Sequence, residues 1–158
     1  MTRRLWGWIG LWMLAGVLGG CSGGDHHEEP HDAGGCLLFA ELEPNATPLT
    51  AQFLGEMFLD DCFVVAGSLF DLADVDSYRV LIQESLLLVV TLDHSPLVDF
   101  DVQLFDADTG QLILDCGLNV VPEVCEVSFL VQAHDIAVDV VVFSFSGAGT
   151  YTMTLDAH

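Results

Sequence analysis

Glu41, Glu43 and Asn45 alternate along the stretch Glu-Leu-Glu-Pro-Asn. On an extended segment, alternate residues point to one side, so two carboxylates and a carboxamide would present oxygen together. Hard cations need such a set: several oxygens from carboxylates, carbonyls and asparagine. A second acidic group follows at Asp71, Asp74 and Asp76. It occupies a corner between an apolar run and an alternating one, with Tyr78, Val80 and Ile82 against Arg79, Leu81 and Gln83. The 41–45 face is the candidate calcium clamp, against the plainer reading of an acidic, solvated entry segment and loop.

Other constellations carry less chemistry. His27-Glu28-Glu29-Pro30-His31 fits the H-E-x-x-H zinc signature. That signature needs both histidines on one helical face, and Pro30 would disrupt the helix. His26, His27 and His31 are left with weak, adventitious metal binding. Asp106-Ala-Asp108-Thr-Gly110 starts like a calcium loop, but its glycine falls one position early and Gly117 replaces the closing glutamate. A hairpin turn with glycine in a left-handed conformation explains it better. Asp99 and Asp101 share one strand face, which reads as exposed unless a second acidic element meets it. His94, before Ser95-Pro96, and His134, before Asp135, read as solvated loop histidines. No G-x-S-x-G elbow is present, and Ser146-Gly147-Ala-Gly149 reads as a turn. No catalytic residue is assigned, so the expectation is a protein that is not an enzyme.

The first 20 residues lie outside any core. Arg3 and Arg4 precede an apolar run from Leu5 to Leu18, which closes on Gly-Gly-Cys21. These are the three regions of a secretory signal. Its apolar run is shorter than the roughly 20 residues a bilayer span needs. The ending resembles the lipobox of bacterial lipoproteins, which implies cleavage before Cys21 and acylation of that cysteine. Residues 21–35 are glycine-flanked, acidic and histidine-rich, and read as a flexible linker. Residues 36–158 remain as the domain.

Past the leader a single arginine, Arg79, stands against 24 carboxylates, with no lysine. Nucleic-acid affinity comes from cations that displace counterions, so nucleic acid is excluded as a partner. Anionic head groups would be repelled too, which leaves the acyl chains to hold the protein at a membrane.

With Cys21 lipidated, four cysteines remain, an even number that suggests two disulfides in an exported chain. Three pairings exist. Cys36–Cys62 with Cys116–Cys125 is favoured, since each joins sequence neighbours and the second brackets a short turn-containing segment. From Cys36 onward the pattern is beta. Strands are expected over residues 63–70, 78–83, 86–93, 100–105, 111–115, 124–131, 137–145 and 150–155. Several alternate, as in Val102 and Leu104 against Asp101, Gln103 and Phe105. Residues 86–90 and 138–142 are continuously apolar and fit strands buried on both faces. Only residues 49–58 carry any helical character, and weakly. About eight short strands predict an all-β antiparallel sandwich.

Glu41-Leu-Glu43-Pro44-Asn45, Gly67-Ser68-Leu69 and Asp74-Val-Asp76-Ser-Tyr78-Arg-Val80 resemble the bacterial pre-peptidase C-terminal domain. So do Leu88-Val-Val-Thr-Leu92, Asp99-Phe-Asp101-Val-Gln-Leu104 and Gly149-Thr-Tyr151-Thr-Met153. The resemblance runs from about Glu41 to Leu155 and implies a jelly-roll-like sandwich, usually an appendage of secreted proteases. The expectation here is a domain that stands alone on a lipid anchor, without a protease. The related collagen-binding domains of secreted collagenases imply calcium ligands at Glu41, Glu43, Asn45, Ser68 and Asp76. Two carboxylate positions of that pattern are Ala46 and Ala73 here, and Asp71 or Asp74 could substitute.

The expected protein is therefore an exported, lipid-anchored module that binds an extracellular protein or polysaccharide, with calcium ordering the 41–45 segment. An exposed aromatic patch beside the acidic corner would mark the binding surface. The competing expectation is an accessory envelope lipoprotein that supports a protein partner and has no ligand of its own.

Overall fold

The computed structural model describes residues 35–117 and 120–158. The leader, Cys21, the linker histidines and the His27–His31 motif all lie outside the described residues. No helix occurs among the described residues. Ten strands follow in order: β1 Leu37–Ala40, β2 Gln52–Met57, β3 Cys62–Leu69, β4 Val75–Ile82, β5 Leu86–His94, β6 Asp99–Asp106, β7 Leu112–Cys116, β8 Glu123–Phe129, β9 Ile136–Ser146 and β10 Gly149–Ala157. They form two five-stranded sheets, in the orders β1-β3-β10-β5-β8 and β2-β4-β9-β6-β7.

The eight strands expected from the pattern are present, and β1 and β2 are added at one edge of each sheet. Both added strands run parallel to their neighbours, β1 to β3 and β2 to β4, so the sheets are mixed rather than purely antiparallel. In place of any helix at residues 49–58 stands β2, with a register shift between Phe53 and Gly55, where Gly55 takes a φ of 142°. The shift turns Leu54 and Met57 inward together. Their spacing of three imitates a helical repeat and hides the strand. β1 is short and mostly exposed; Phe39 stacks edge-on against Phe63 at 5.5 Å.

The inward faces close one core. Phe63, Val65 and Leu69 of β3 meet Tyr78, Val80 and Ile82 of β4, with Phe100, Leu104, Val140, Met153 and Leu155 deep between the sheets. In β5 the side chains alternate, with Leu88, Val90 and Leu92 buried while Leu87, Val89 and Thr91 are half-buried outside. The double-sided burial expected of residues 86–90 is therefore not realised in β5. In β9, Val138, Val140 and Val142 point inward, while the outward Val141 is only half-covered. A central strand can carry apolar residues on its outer face because its neighbours' side chains cover part of it.

Both favoured disulfides form. Cys36–Cys62 ties the start of β1 to β3, and Cys116–Cys125 joins β7 of one sheet to β8 of the other. Two bridges in one domain mark an exported chain, because cytosolic thiols are kept reduced.

Arg79 forms a bidentate pair with buried Asp139 across the β4–β9 ladder, at 2.7 and 2.8 Å, and also donates to the Pro48 carbonyl. Replacing Arg79 with methionine should destabilise the fold by about 1–3 kcal/mol, because Asp139 stays buried without its donor. Urea unfolding of the two proteins measures that loss, and an unchanged midpoint would contradict it.

Candidate metal centre

Strand register brings four connections to one end of the sandwich. Leu69 pairs with Gly149, Tyr151 with His94, Leu92 with Glu123, and Asp99 with Ser146. The β3–β4, β5–β6, β7–β8 and β9–β10 connections therefore lie together. The segment between β1 and β2 crosses from one sheet to the other nearby, and each sheet holds it. Glu41 N–H donates to the Ala66 carbonyl on β3, and the Asn45 carbonyl accepts from Ser77 N–H on β4. This double attachment brings residue 41 to residue 76.

Carboxylate oxygens of Glu41, Glu43 and Asp76 lie within 4.8 Å of one another. Each carboxylate has one oxygen engaged by the protein. Glu41 Oε2 accepts from Ser68 N–H at 2.8 Å and from its hydroxyl at 3.3 Å. Glu43 Oε2 accepts from Asn45 N–H at 2.9 Å, and Asp76 Oδ2 accepts from the Tyr151 hydroxyl at 2.5 Å. The second oxygens of the two less exposed acids, Glu41 Oε1 and Asp76 Oδ1, are buried without a hydrogen-bond partner. Asn45 is fully buried, and neither its Oδ1 nor its Nδ2 has a partner. Each orphaned polar atom costs about 1–3 kcal/mol unless something satisfies it.

Charge raises that cost. Two carboxylates about 5 Å apart repel by roughly 3 kcal/mol at an effective dielectric of about 20. The only lysine or arginine after residue 4 is Arg79, which is engaged by Asp139. Burial, with Glu41 and Asp74 close by, pushes the Asp76 carboxyl up to about 8. At neutral pH the cluster must therefore take up a proton on Asp76 or a cation. The oxygens of Glu41, Glu43, Asn45 and Asp76 suit a hard divalent cation, and the bonds from Ser68 and Tyr151 orient two of them.

The remaining expected ligands sit elsewhere in the corner. Ser68 holds Glu41. Asp71 Oδ1 accepts from Ala73 N–H, while Asp74 accepts from Phe70 N–H and Val75 N–H, so both carboxylates build the β3–β4 turn. Neither belongs to the cluster of Glu41, Glu43 and Asp76. Tyr78 and Tyr151 stand in the stretches that resemble the pre-peptidase domain, but the sequence assigned neither a role. Their hydroxyls meet at 2.6 Å between the sheets, and the pair supports Asp76 from below. Burial raises the pKa of both phenols, so each stays a neutral donor. The backbone of Gly67 passes close to this support. A Cβ there would fall on the ring and hydroxyl of Tyr151. Gly67→Ala should push Tyr151 away from Asp76 and weaken cation binding at least tenfold; calorimetric titration of calcium into the variant checks it.

The 106–110 stretch is a hairpin turn. Asp106 Oδ1 accepts from Asp108 and Thr109 N–H, and Gly110 takes a φ of 68°. The Asp99–Asp101 face departs from the expected exposed one, since Asp101 is buried and Glu123 of the opposite sheet meets both. His94 departs as well: it closes β5 as a buried residue, whereas His134 is exposed. His94, Asp99 and Ser146 line one cleft of about 480 Å³. His94 Nε2 has no hydrogen-bond partner there, so this imidazole is bonded to no hydroxyl.

Apolar side chains mark the tips of this end. Phe70 and Leu72 flank the acidic corner at 75% and 64% exposure, and Phe145 at the end of β9 is 72% exposed. Phe70 is the exposed aromatic side chain beside the corner, with the aliphatic Leu72 next to it in place of a wider aromatic patch.

No family model and no curated protein matches the chain. Among solved structures, the pre-peptidase C-terminal domain of a collagenase from Bacillus anthracis matches with a TM-score of 0.53 and 16% identity, over 67% of this chain and 94% of that one. PliG, a periplasmic inhibitor of g-type lysozyme from Salmonella Typhimurium, matches at a TM-score of 0.43 and 11% identity, over 69% of this chain and all of the other. The first likeness shows that this chain has the fold of a pre-peptidase C-terminal domain, as the sequence motifs imply.

Proposed function

We propose that this sandwich is a non-catalytic binding module of the cell exterior, held at a membrane by lipid on Cys21 and ordered by one calcium ion at Glu41, Glu43, Asn45 and Asp76. The observation that carries the reading is the set of oxygens held free on Glu41, Asn45 and Asp76 while the protein engages the other oxygen of each carboxylate. Calcium supplies the positive charge that the cluster lacks. It fixes the 41–45 segment against β3 and β4 and stiffens the corner that carries Phe70 and Leu72. Those two side chains, beside an acidic rim, suit a protein or polysaccharide surface with apolar and polar patches. The start of β1 lies opposite the loop end, because β1 and β3 run parallel and β3 finishes at the corner.

The test has two parts. Calorimetry should find one calcium equivalent, lost in Glu41→Gln/Asp76→Asn. Envelope material should bind the chain in calcium and release it in chelator, with binding lost in Phe70→Ser/Leu72→Ser. A stoichiometric partner retained in chelator and by that double variant would favour the accessory-lipoprotein role instead.

A further inference from the structure

Gln52 opens β2 at the edge of one sheet, and its backbone pairs with Tyr78, two residues beyond Asp76. Its side chain reaches across to the end of β1, at the edge of the other sheet. Gln52 Nε2 donates to the Ala40 carbonyl at 3.0 Å, and Gln52 Oε1 accepts from Leu42 N–H at 2.8 Å. The two bonds bracket Glu41, whose own N–H donates to the Ala66 carbonyl on β3. A residue on a parallel strand brackets its partner in the same way, so the carboxamide stands in for one rung of a ladder. Three successive backbone groups around Glu41 are therefore held, one by β3 and two by Gln52.

This bracket joins the two halves of the cation cluster. Ser68 holds one oxygen of the Glu41 side chain, but Ser68 lies on β3, whereas Asp76 lies on β4 in the facing sheet. Gln52 is bonded to both parts at once, by its backbone to β4 and by its side chain to the chain on either side of Glu41. Both polar ends of its carboxamide are engaged in these bonds, so it orients a ligand rather than serving as one.

We propose that Gln52 is a positioning residue of the calcium site, and that it sets the spacing of Glu41 from Asp76 that calcium requires. The inference rests on the calcium reading above. Residues that hold metal ligands in place typically contribute about 10–100-fold to metal affinity.

Calorimetric titration of calcium into the full chain and into Gln52→Met tests this, since methionine keeps the length of the side chain and removes both bonds. Affinity should fall about tenfold in the variant. Terbium in place of calcium gives a second readout. Its luminescence lifetime should shorten in Gln52→Met, because water takes the position that a Glu41 oxygen leaves. Ser85→Ala is the control. Ser85 makes a comparable pair of bonds to the backbone of Val131, from the β4–β5 connection, and its loss should lower stability without moving either readout. Parent-like calcium affinity or an unchanged terbium lifetime in Gln52→Met, whatever its stability in chelator, would overturn the proposal and leave the calcium site standing. A parent protein that takes up no calcium would overturn both.

Discussion

Asp76→Asn should melt higher than the parent protein in chelator and lower than it in calcium. Without a cation, the parent must bury a carboxylate whose pKa sits at about 8, next to Glu41. Asparagine removes that charge and still accepts from the Tyr151 hydroxyl through its own oxygen. The metal-free variant should therefore gain about 1–3 kcal/mol above pH 8. In calcium the order reverses. A ligand that binds only the folded form stabilises it by about 4 kcal/mol at a thousandfold excess over Kd. For a domain of this size that raises Tm by about 10 °C. The variant has lost the central anionic ligand and should forgo nearly all of it. Thermal unfolding of both proteins at pH 8.5, in calcium and in chelator, gives four numbers. A variant that melts below the parent in both conditions would reduce Asp76 to a structural hydrogen-bond acceptor.

Calcium affinity should fall steeply with acid. Calcium and a proton compete for Asp76, so metal binding below pH 8 releases a proton. Each pH unit below about 8 then weakens apparent binding about tenfold, or about 100-fold between pH 8 and pH 6. The metal-free protein shows the converse. Its folded state holds the Asp76 proton more tightly than the unfolded chain does, where the group returns to near 3.8. This group's stabilisation is complete below about pH 4 and is lost as pH rises to about 8. The high negative charge adds a parallel trend through self-repulsion, so the contribution of Asp76 is the difference between parent and Asp76→Asn. Calorimetry in buffers of different ionisation enthalpy counts the released proton. A pH-independent affinity from 6 to 8 would contradict the competition.

Much of this was legible in the sequence, for identifiable reasons. Strands such as β3 and β10 advertise themselves because one face is buried and the other is not, which forces a period of two. β2 escaped because the register shift at Gly55 breaks that period, and β1 because it buries almost nothing. The Glu41–Asn45 face was legible from alternation alone, but its meeting with Asp76 depends on a crossing between sheets that no local pattern encodes. Tyr78 and Tyr151 looked like ordinary core residues, since only coordinates show two hydroxyls meeting beneath a carboxylate. Asp99 and Asp101 looked exposed because their partner, Glu123, comes from the other sheet. The same long-range packing turned His94 from a loop residue into a buried one.

The central claim is that Glu41, Glu43, Asn45 and Asp76 converge to hold calcium. Its most direct test is thermal unfolding of the parent protein at pH 8, with saturating calcium against excess chelator. An upward shift of about 10 °C in calcium, absent with magnesium at the same concentration, is expected, because magnesium demands a tighter octahedral shell than this set supplies. Identical melting curves in calcium and in chelator would contradict the claim.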